Sequence, residues 1–368
     1  MKLNKNWILF YVKNHNFSGN IKEIFNFDHF GNVSIPTLFE LELFYNNILP
    51  HPYESTNTWL YQKYEDYHQF YVVNFKGSSK HKFLRLHGVD TIANIYLNGE
   101  LIGKTHNMFM HYDFELSNLK KNNELIIHVL PAVLEGKKFK FTKEMFAQPY
   151  NYESLYLRKC ASSFGWDILP RTPLGGIHKD VELLSSLPLI EDLHVSATNI
   201  SEKYAKLSFS LKLREENPNY KVTFEGKCGR DYFFTYDNKI SLKNPKLWNI
   251  RGYGKPNLYK ITVTVYLDGL VVEKKTIDFG IRKVELHRSS VVQEGGKFEF
   301  HINNQKVFLL GSNWVPIEAI KHFDDERMLK ALDMVCDLGC NCLRVWGGGV
   351  YESDRFYQEC NKRSIFVW

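Results

Sequence analysis

The sequence predicts a mainly β, multidomain protein: two successive β-sandwiches, then an alternating β/α segment. Three observations carry this reading. Short runs rich in aromatic and β-branched residues, separated by turn signals, fill residues 1–185. A second set of alternating runs fills 186–286, about the size of an immunoglobulin-like sandwich. From 287 to 368, apolar strand-like runs alternate with helix-period segments, as in the opening of a β/α architecture.

In the first segment the strands are "HQFYVVNF", "KFLRLHGV", "TIANIYLNG", "HYDFEL" and "ELIIHVL", a spacing that suggests a sandwich or jelly roll. Asn98-Gly99 accepts the positive φ of a tight hairpin turn. In the second, the strands are "HVSATNI", "AKLSFSLKL", "YKVTFEGK", "NLYKITVTVYLDG" and "VVEKKTIDFG", with Asp268-Gly269 as another hairpin turn. In the third, "VFLLGSNW" reads as one apolar strand entering a loop. Asp324, Asp325 and Glu326 supply an acidic first turn to a helix whose Leu329, Leu332, Val335 and Cys336 share a face, and Gly339 ends it. "NCLRVW" is a second strand, Ser353 caps a helix bearing Phe356, Tyr357 and Cys360, and "IFVW" is a third strand.

Composition narrows the function. The net charge is +6, but its densest basic stretch, "KKFKFTKE" at 137–144, is short, which argues against nucleic-acid binding. Four of the six cysteines fall among the last 33 residues with no Cys-x-x-Cys pair, so reduced thiols fit better than a zinc site. The first apolar run, Trp7–Val12, is shorter than a signal peptide's, and no run would span a membrane, so the expectation is a cytoplasmic protein.

One stretch poses a chemical question. "SSFGWDILPRTPLGGIHKDVEL" (162–183) puts Phe164, Trp166, Asp167 and Arg171 within eight positions between loop-forming Gly and Pro. Aromatic faces beside a carboxylate make a sugar-binding surface, because an indole covers the C–H face of a ring and a carboxylate accepts its hydroxyls. They also make a well-packed loop, in which Arg171 is a structural ion-pair partner and Asn107, in "HNMF", a turn residue.

These motifs, taken in order, resemble glycoside hydrolase family 2, and within it the β-mannosidases. "NILPHPY" resembles the family's early turn, and "WLYQKYEDYHQFYVVNF" its tryptophan-containing strand. "GVDTIANIYLNGELIGKTHNMFMHYDFEL" resembles its sugar-binding jelly roll, and "FGWDILPRTPLGGIHKDVEL" the β-mannosidase signature. "NPKLWNIRGYGKPNLYKITVTV" and "DFGIRKVEL" resemble its immunoglobulin-like domain. "GSNWVPIEA" and "CNCLRVWGGGVYESDRFYQECNKRSIFVW" resemble the first three strands of its catalytic TIM barrel. Ile168-Leu169 and His178-Lys179-Asp180 depart from the usual Trp-Gly and Trp-Arg-Pro.

The resemblance implies removal of terminal β-mannose from an oligosaccharide or N-glycan-derived substrate by a retaining double displacement, without a cofactor. It places Trp166, Asp167 and Trp346 at the subsite for the sugar to be cleaved, Trp314 at its wall, and Arg344 behind them as an orienting cation. A retaining enzyme needs two carboxyl groups about 5–5.5 Å apart. In the family both are glutamates after later barrel strands, so no catalytic residue is expected before Trp368, and the chain alone is expected to be inactive. Asn123-Glu124 sits in a polar turn entering a strand, and Glu318 and Glu352, after the first two barrel strands, border the site or, more in keeping with their context, are surface groups. A barrel takes roughly 250 residues, so the expectation is an incomplete barrel. Half of a split enzyme completed by a C-terminal chain, or a non-catalytic carbohydrate-binding fragment, remain open readings.

Overall fold

A computed structural model describes residues 1–145, 151–290, 292, 296–320 and 325–368. It contains two compact units. The first is Met1–Leu187 with Pro316–Phe323 and Gly347–Val350; the second is Pro188–Val315 with Asp324–Trp346 and Tyr351–Trp368. The helix expected to open on Asp324 runs Asp325–Asp337, and Asp324 itself lies outside the described residues.

The first unit is a β-sandwich. A six-stranded antiparallel sheet runs, side by side, Asp28–Val33, Trp7–Lys13, Tyr67–Lys76, Asn122–Val129, Ala93–Leu97 and Glu100–Thr105. Facing it is a sheet of Val181–Leu184, Phe83–Leu86 and Tyr112–Glu115. Trp7, Tyr71, Ile95 and Ile127 of the first sheet pack with Leu84, Leu86 and Val181 of the second. The central strands are buried on both sides, because Phe10, Phe70, Val72 and Ile126 form a second cluster with Ile24 on the outer face. That is why "HQFYVVNF" reads as a continuous apolar run, where a half-buried strand would alternate.

The second unit begins with a seven-stranded sandwich. One sheet holds Ile190–Thr198, Tyr204–Leu213 and Lys239–Lys243, and the other Asp231–Thr235, Tyr220–Cys228, Tyr259–Leu267 and Leu270–Phe279. Leu193, Leu207 and Phe209 meet Phe224, Ile261 and Val263 between the sheets. Both hairpin turns read from the sequence form as expected, with φ of 53° and 85° at Asn98-Gly99 and of 50° and 82° at Asp268-Gly269.

Three elements differ from the sequence reading. Trp59 lies in a one-turn helix, Thr58–Tyr61, and its side chain is exposed; the strand after it starts at Tyr67. The edge strands Asp231–Thr235 and Lys239–Lys243, one in each sheet, were not anticipated. "VFLLGSNW" divides: Gln305–Val307 closes an antiparallel sheet with Phe298–Ile302 and Val284–Arg288, while Gly311–Trp314 starts a parallel one. That parallel sheet continues with Cys342–Val345 and Phe366–Val367, joined through helices Asp325–Asp337 and Asp354–Lys362. Ser353 caps the second helix, its Oγ accepting from Phe356 N–H at 3.4 Å.

Candidate functional site

The loop of the first unit is built from its backbone outward. A single 3-10 turn, Ala161–Phe164, buries Ser162, Ser163 and Phe164. Gly165 then turns the chain at φ +97°, a conformation costly for any residue with a Cβ. Next, Trp166 N–H donates to Leu169 O at 3.0 Å, and Leu169 N–H donates to Trp166 O at 3.2 Å. This reciprocal pair makes a tight turn with Asp167 and Ile168 at its tip. Asp167 is exposed, Ile168 is 71% exposed and Trp166 39% exposed. The departure at Ile168-Leu169 is thus accommodated by a turn that needs no glycine.

Arg171 anchors the turn's far end. Its Nε and Nη2 donate to Glu65 at 2.7 and 2.8 Å, Nη2 also to Glu153 at 3.1 Å, and Nη1 to Asn151 at 2.9 Å and Phe164 O at 3.2 Å. All five guanidinium donors are used, as expected of a structural ion-pair partner. Glu65 and Glu153 were not foreseen. Beyond it, Thr172 N–H returns to Ser163 O at 2.7 Å, and Thr172 Oγ1 donates to Ala319 O at 3.3 Å.

A buried ionic group lies on either side of this loop in sequence. Lys159 Nζ meets Asp90 Oδ2 at 2.5 Å with both side chains enclosed. Glu40 Oε1 accepts Leu174 N–H at 2.9 Å, and its Oε2 is buried without a hydrogen-bond partner. Burial pushes the Glu40 carboxyl up to about 7, against the pull of the Lys159 charge. His178, one of the departures, is buried, and its ring Nε2 lies 3.0 Å from Met108 O. Asn107 is a turn residue, its Oδ1 accepting from Phe109 N–H at 2.9 Å.

In the second unit, the parallel register pairs Asn313 with Arg344 and Trp314 with Val345. Arg344 is exposed and donates from Nη1 to Asn313 Oδ1 at 3.0 Å. Asn313 and Arg344 line a concavity of about 410 Å³ with Leu309, Gly311, Cys342 and Trp368. Gly311 is required there, since a Cβ would come within 2.1 Å of Cys342 O. Trp314 is buried, its ring 4.8 Å from Phe356 and its Nε1–H donating to Glu352 Oε1 at 3.0 Å. Trp346 is half-buried and donates its backbone N–H to Trp314 O at 3.0 Å.

The carboxylates considered as substitutes are placed differently from the sequence reading in one case. Glu318 is buried and so is not a surface group, while Glu352 is half-buried. Asn123 is structural: its Oδ1 accepts from Lys120 N–H at 2.9 Å and from Asn98 Nδ2 at 3.1 Å. All six cysteines are free. Among the described residues no group of three or more His, Cys, Asp or Glu could hold a metal ion, and no helix is long and apolar enough to cross a membrane.

Comparison with known proteins places this geometry. Residues 16–179 match the glycosyl hydrolase 2 galactose-binding domain-like family, and 188–282 match glycosyl hydrolases family 2. β-Mannosidases from Capra hircus and Bos taurus are 28% and 29% identical over 91% of this chain. The chain spans 42% of the length of these relatives. The crystal structure of a β-D-mannosidase from Dictyoglomus thermophilum superposes with TM-score 0.81 at 30% identity, over 100% of this chain and 46% of that one. The Amycolatopsis orientalis exo-chitosanase, at TM-score 0.71 and 16% identity over 100% of this chain and 43% of that one, shares the fold. Both sandwich domains and the mannosidase relatives lead to one family: the chain belongs to glycoside hydrolase family 2.

Proposed function

We propose that this chain is part of a β-mannosidase that removes terminal, non-reducing β-D-mannose by a retaining double displacement. The observation that supports this most is the likeness to β-mannosidases over nine-tenths of the chain, 91% for the Capra hircus enzyme, which includes the Trp166-Asp167 turn. In this reading Asp167 accepts hydrogen bonds from two sugar hydroxyls, and Trp166 lies against the C–H face of the ring. On the second unit, Trp346 contacts sugar, Trp314 supports it through the Trp346 N–H bond, and Arg344 orients neighbouring carboxylates. The acid/base and nucleophile are not among the 368 residues, which therefore bind without turning substrate over.

The test is hydrolysis of chromogenic β-mannoside, β-galactoside and β-glucuronide. Two proteins are compared: the 368-residue chain and the product of its whole reading frame. Turnover of the mannoside alone, and only by the longer protein where one is encoded, is the expected result. Turnover by the 368-residue chain would place both carboxylates within it and refute the division of labour. Preference for another glycoside would refute the substrate. Asp167→Asn in the active protein is expected to lower kcat/KM by roughly 10- to 100-fold, since a charged acceptor is lost from a hydroxyl pair.

A further inference from the structure

The loop that carries the Trp166-Asp167 turn lies between two stems, 158–160 and 174–178. Two residues from elsewhere in the first unit bind both of them. Met108 N–H donates to Arg158 O at 3.0 Å, and Met108 Sδ accepts Cys160 N–H at 3.0 Å. On the returning stem, Met108 O accepts from His178 Nε2 at 3.0 Å. Asp90 divides its groups in the same way. Its Oδ2 meets Lys159 Nζ on the outgoing stem at 2.5 Å. Its backbone exchanges N–H···O bonds of 2.8 and 3.0 Å with Gly176 on the returning one.

The ionic half of this arrangement sits where ions are costly. Side-chain exposure is 0% for Lys159 and 6% for Asp90. Two charges taken out of water recover their lost hydration only with good geometry, and an apolar pair of like volume often serves stability as well. Here both carboxylate oxygens are used, Oδ1 accepting from Thr91 Oγ1 and Oδ2 from Lys159. Neither Asp90 nor Lys159 lies in a strand of either sheet, so the bond joins loop to loop and adds nothing to sheet pairing. What it adds is direction. Apolar contact would hold the stems together without fixing their offset, whereas a charge-assisted bond has one short length and a narrow angle.

The two halves of the loop differ in their ties. On the returning half, Leu174 N–H donates to Glu40 and Leu174 O accepts from Gln69 Nε2 at 3.1 Å, with Arg171 and Thr172 as further anchors. On the outgoing half, which leads to Trp166 and Asp167, the charged anchor is Lys159 on Asp90.

We propose that Asp90 is a positioning residue: by holding both stems, it sets where the Asp167 carboxylate stands and so the affinity for a β-mannoside. That Asp167 meets a sugar rests on the proposed function; that Asp90 fixes the loop rests on the two stems.

The test compares the 368-residue chain as wild type, Asp90→Asn, and Asp90→Asn/Lys159→Met. The last leaves no unpaired buried charge, so it keeps the proposal testable where the single variant fails to fold. Each is also made with Asp167→Asn. Hydrogen exchange by mass spectrometry is read over residues 160–173 and, as a control, over the strand Tyr67–Lys76. Methyl β-D-mannoside is titrated against tryptophan fluorescence. Both Asp90 variants are expected to speed loop exchange roughly tenfold relative to the strand, the loss of one charge-assisted bond. Mannoside affinity is expected to fall about tenfold with Asp167 present and not to fall further once Asp167 is Asn, because one residue acts through the other. A general loss of stability would instead speed loop and strand alike and weaken binding equally in both backgrounds, and that result overturns the proposal. So does loop exchange at the wild-type rate in the doubly substituted chain; if wild type still binds the mannoside, the proposed function survives this. Faster loop exchange in a chain whose wild type binds no mannoside upholds the clamp and refutes the proposed function.

Discussion

Glu40 offers the sharpest test of how the first unit is held together. Its carboxyl is enclosed, with one oxygen accepting Leu174 N–H and the other unpartnered. Burial raises its folded pKa to about 7 from an ordinary value of 4.5. Below pH 4.5 the group is protonated in both folded and unfolded chains and contributes no pH dependence. As pH rises from 4.5 to about 7, the unfolded chain releases the proton while the folded one keeps it. Stability is therefore lost across that window and is level above it. The window spans two and a half pH units, each worth about 1.4 kcal/mol, so the loss is about 3 kcal/mol.

Glu40→Gln removes the titration and keeps an acceptor for Leu174 N–H. The amide adds a buried donor, which costs about 1–3 kcal/mol at every pH. That offset does not bend the curve. Urea unfolding of wild type and variant at pH 5, 6, 7 and 8, followed by circular dichroism, gives the difference in stability at each pH. The variant is expected to gain on wild type by about 2–3 kcal/mol between pH 5 and 8. Parallel curves would mean that Glu40 titrates alike in both states and would refute the argument from burial.

Three further outcomes follow from the same structure. Burial, with the Lys138 charge for His68 and the His68 charge for His128, lowers the His68 and His128 pKa values to about 4 and about 3, so stability is intact above pH 6.5 and falls below it, by up to about 1.4 kcal/mol per pH unit for each ring. His128→Phe should flatten that acid limb in thermal melts; an unchanged limb counts against it. Arg171→Met leaves Glu65 and the buried Glu153 without their guanidinium and should cost about 3–5 kcal/mol in urea unfolding, whereas a loss below about 1 kcal/mol would show the network to be dispensable. Gly175→Ala brings a Cβ within 2.2 Å of Asp90 O at φ +82°, so folded yield and melting temperature should both fall, and wild-type values would show that the loop moves freely aside.

What could be read from the sequence was what depends on neighbours along the chain. Asn98-Gly99 and Asp268-Gly269 could be read because positive φ is a local preference, and Ser353 because a cap bonds within its own first turn. The Trp166-Asp167 turn could be read for the same reason: aromatic, carboxylate and loop residues lie together. Its anchor could be read only by half. Arg171 announces a need for carboxylates, but Glu65 lies 106 residues away and supplies two bonds by long-range packing. Glu318 failed on the same ground, and the half-buried Glu352 in part. A glutamate after a strand looks solvated until the surface that buries it, or the indole of Trp314 that binds it, is in place.

The unread edge strands within 231–243 show the converse. "DYFFTYDNKISLK" hides its parity, because Phe233 faces the core while Tyr232 and Phe234, equally aromatic, face solvent. Hydrophobic alternation identifies a strand only when the outer face is polar. Where that face carries aromatics, the pattern vanishes from the sequence.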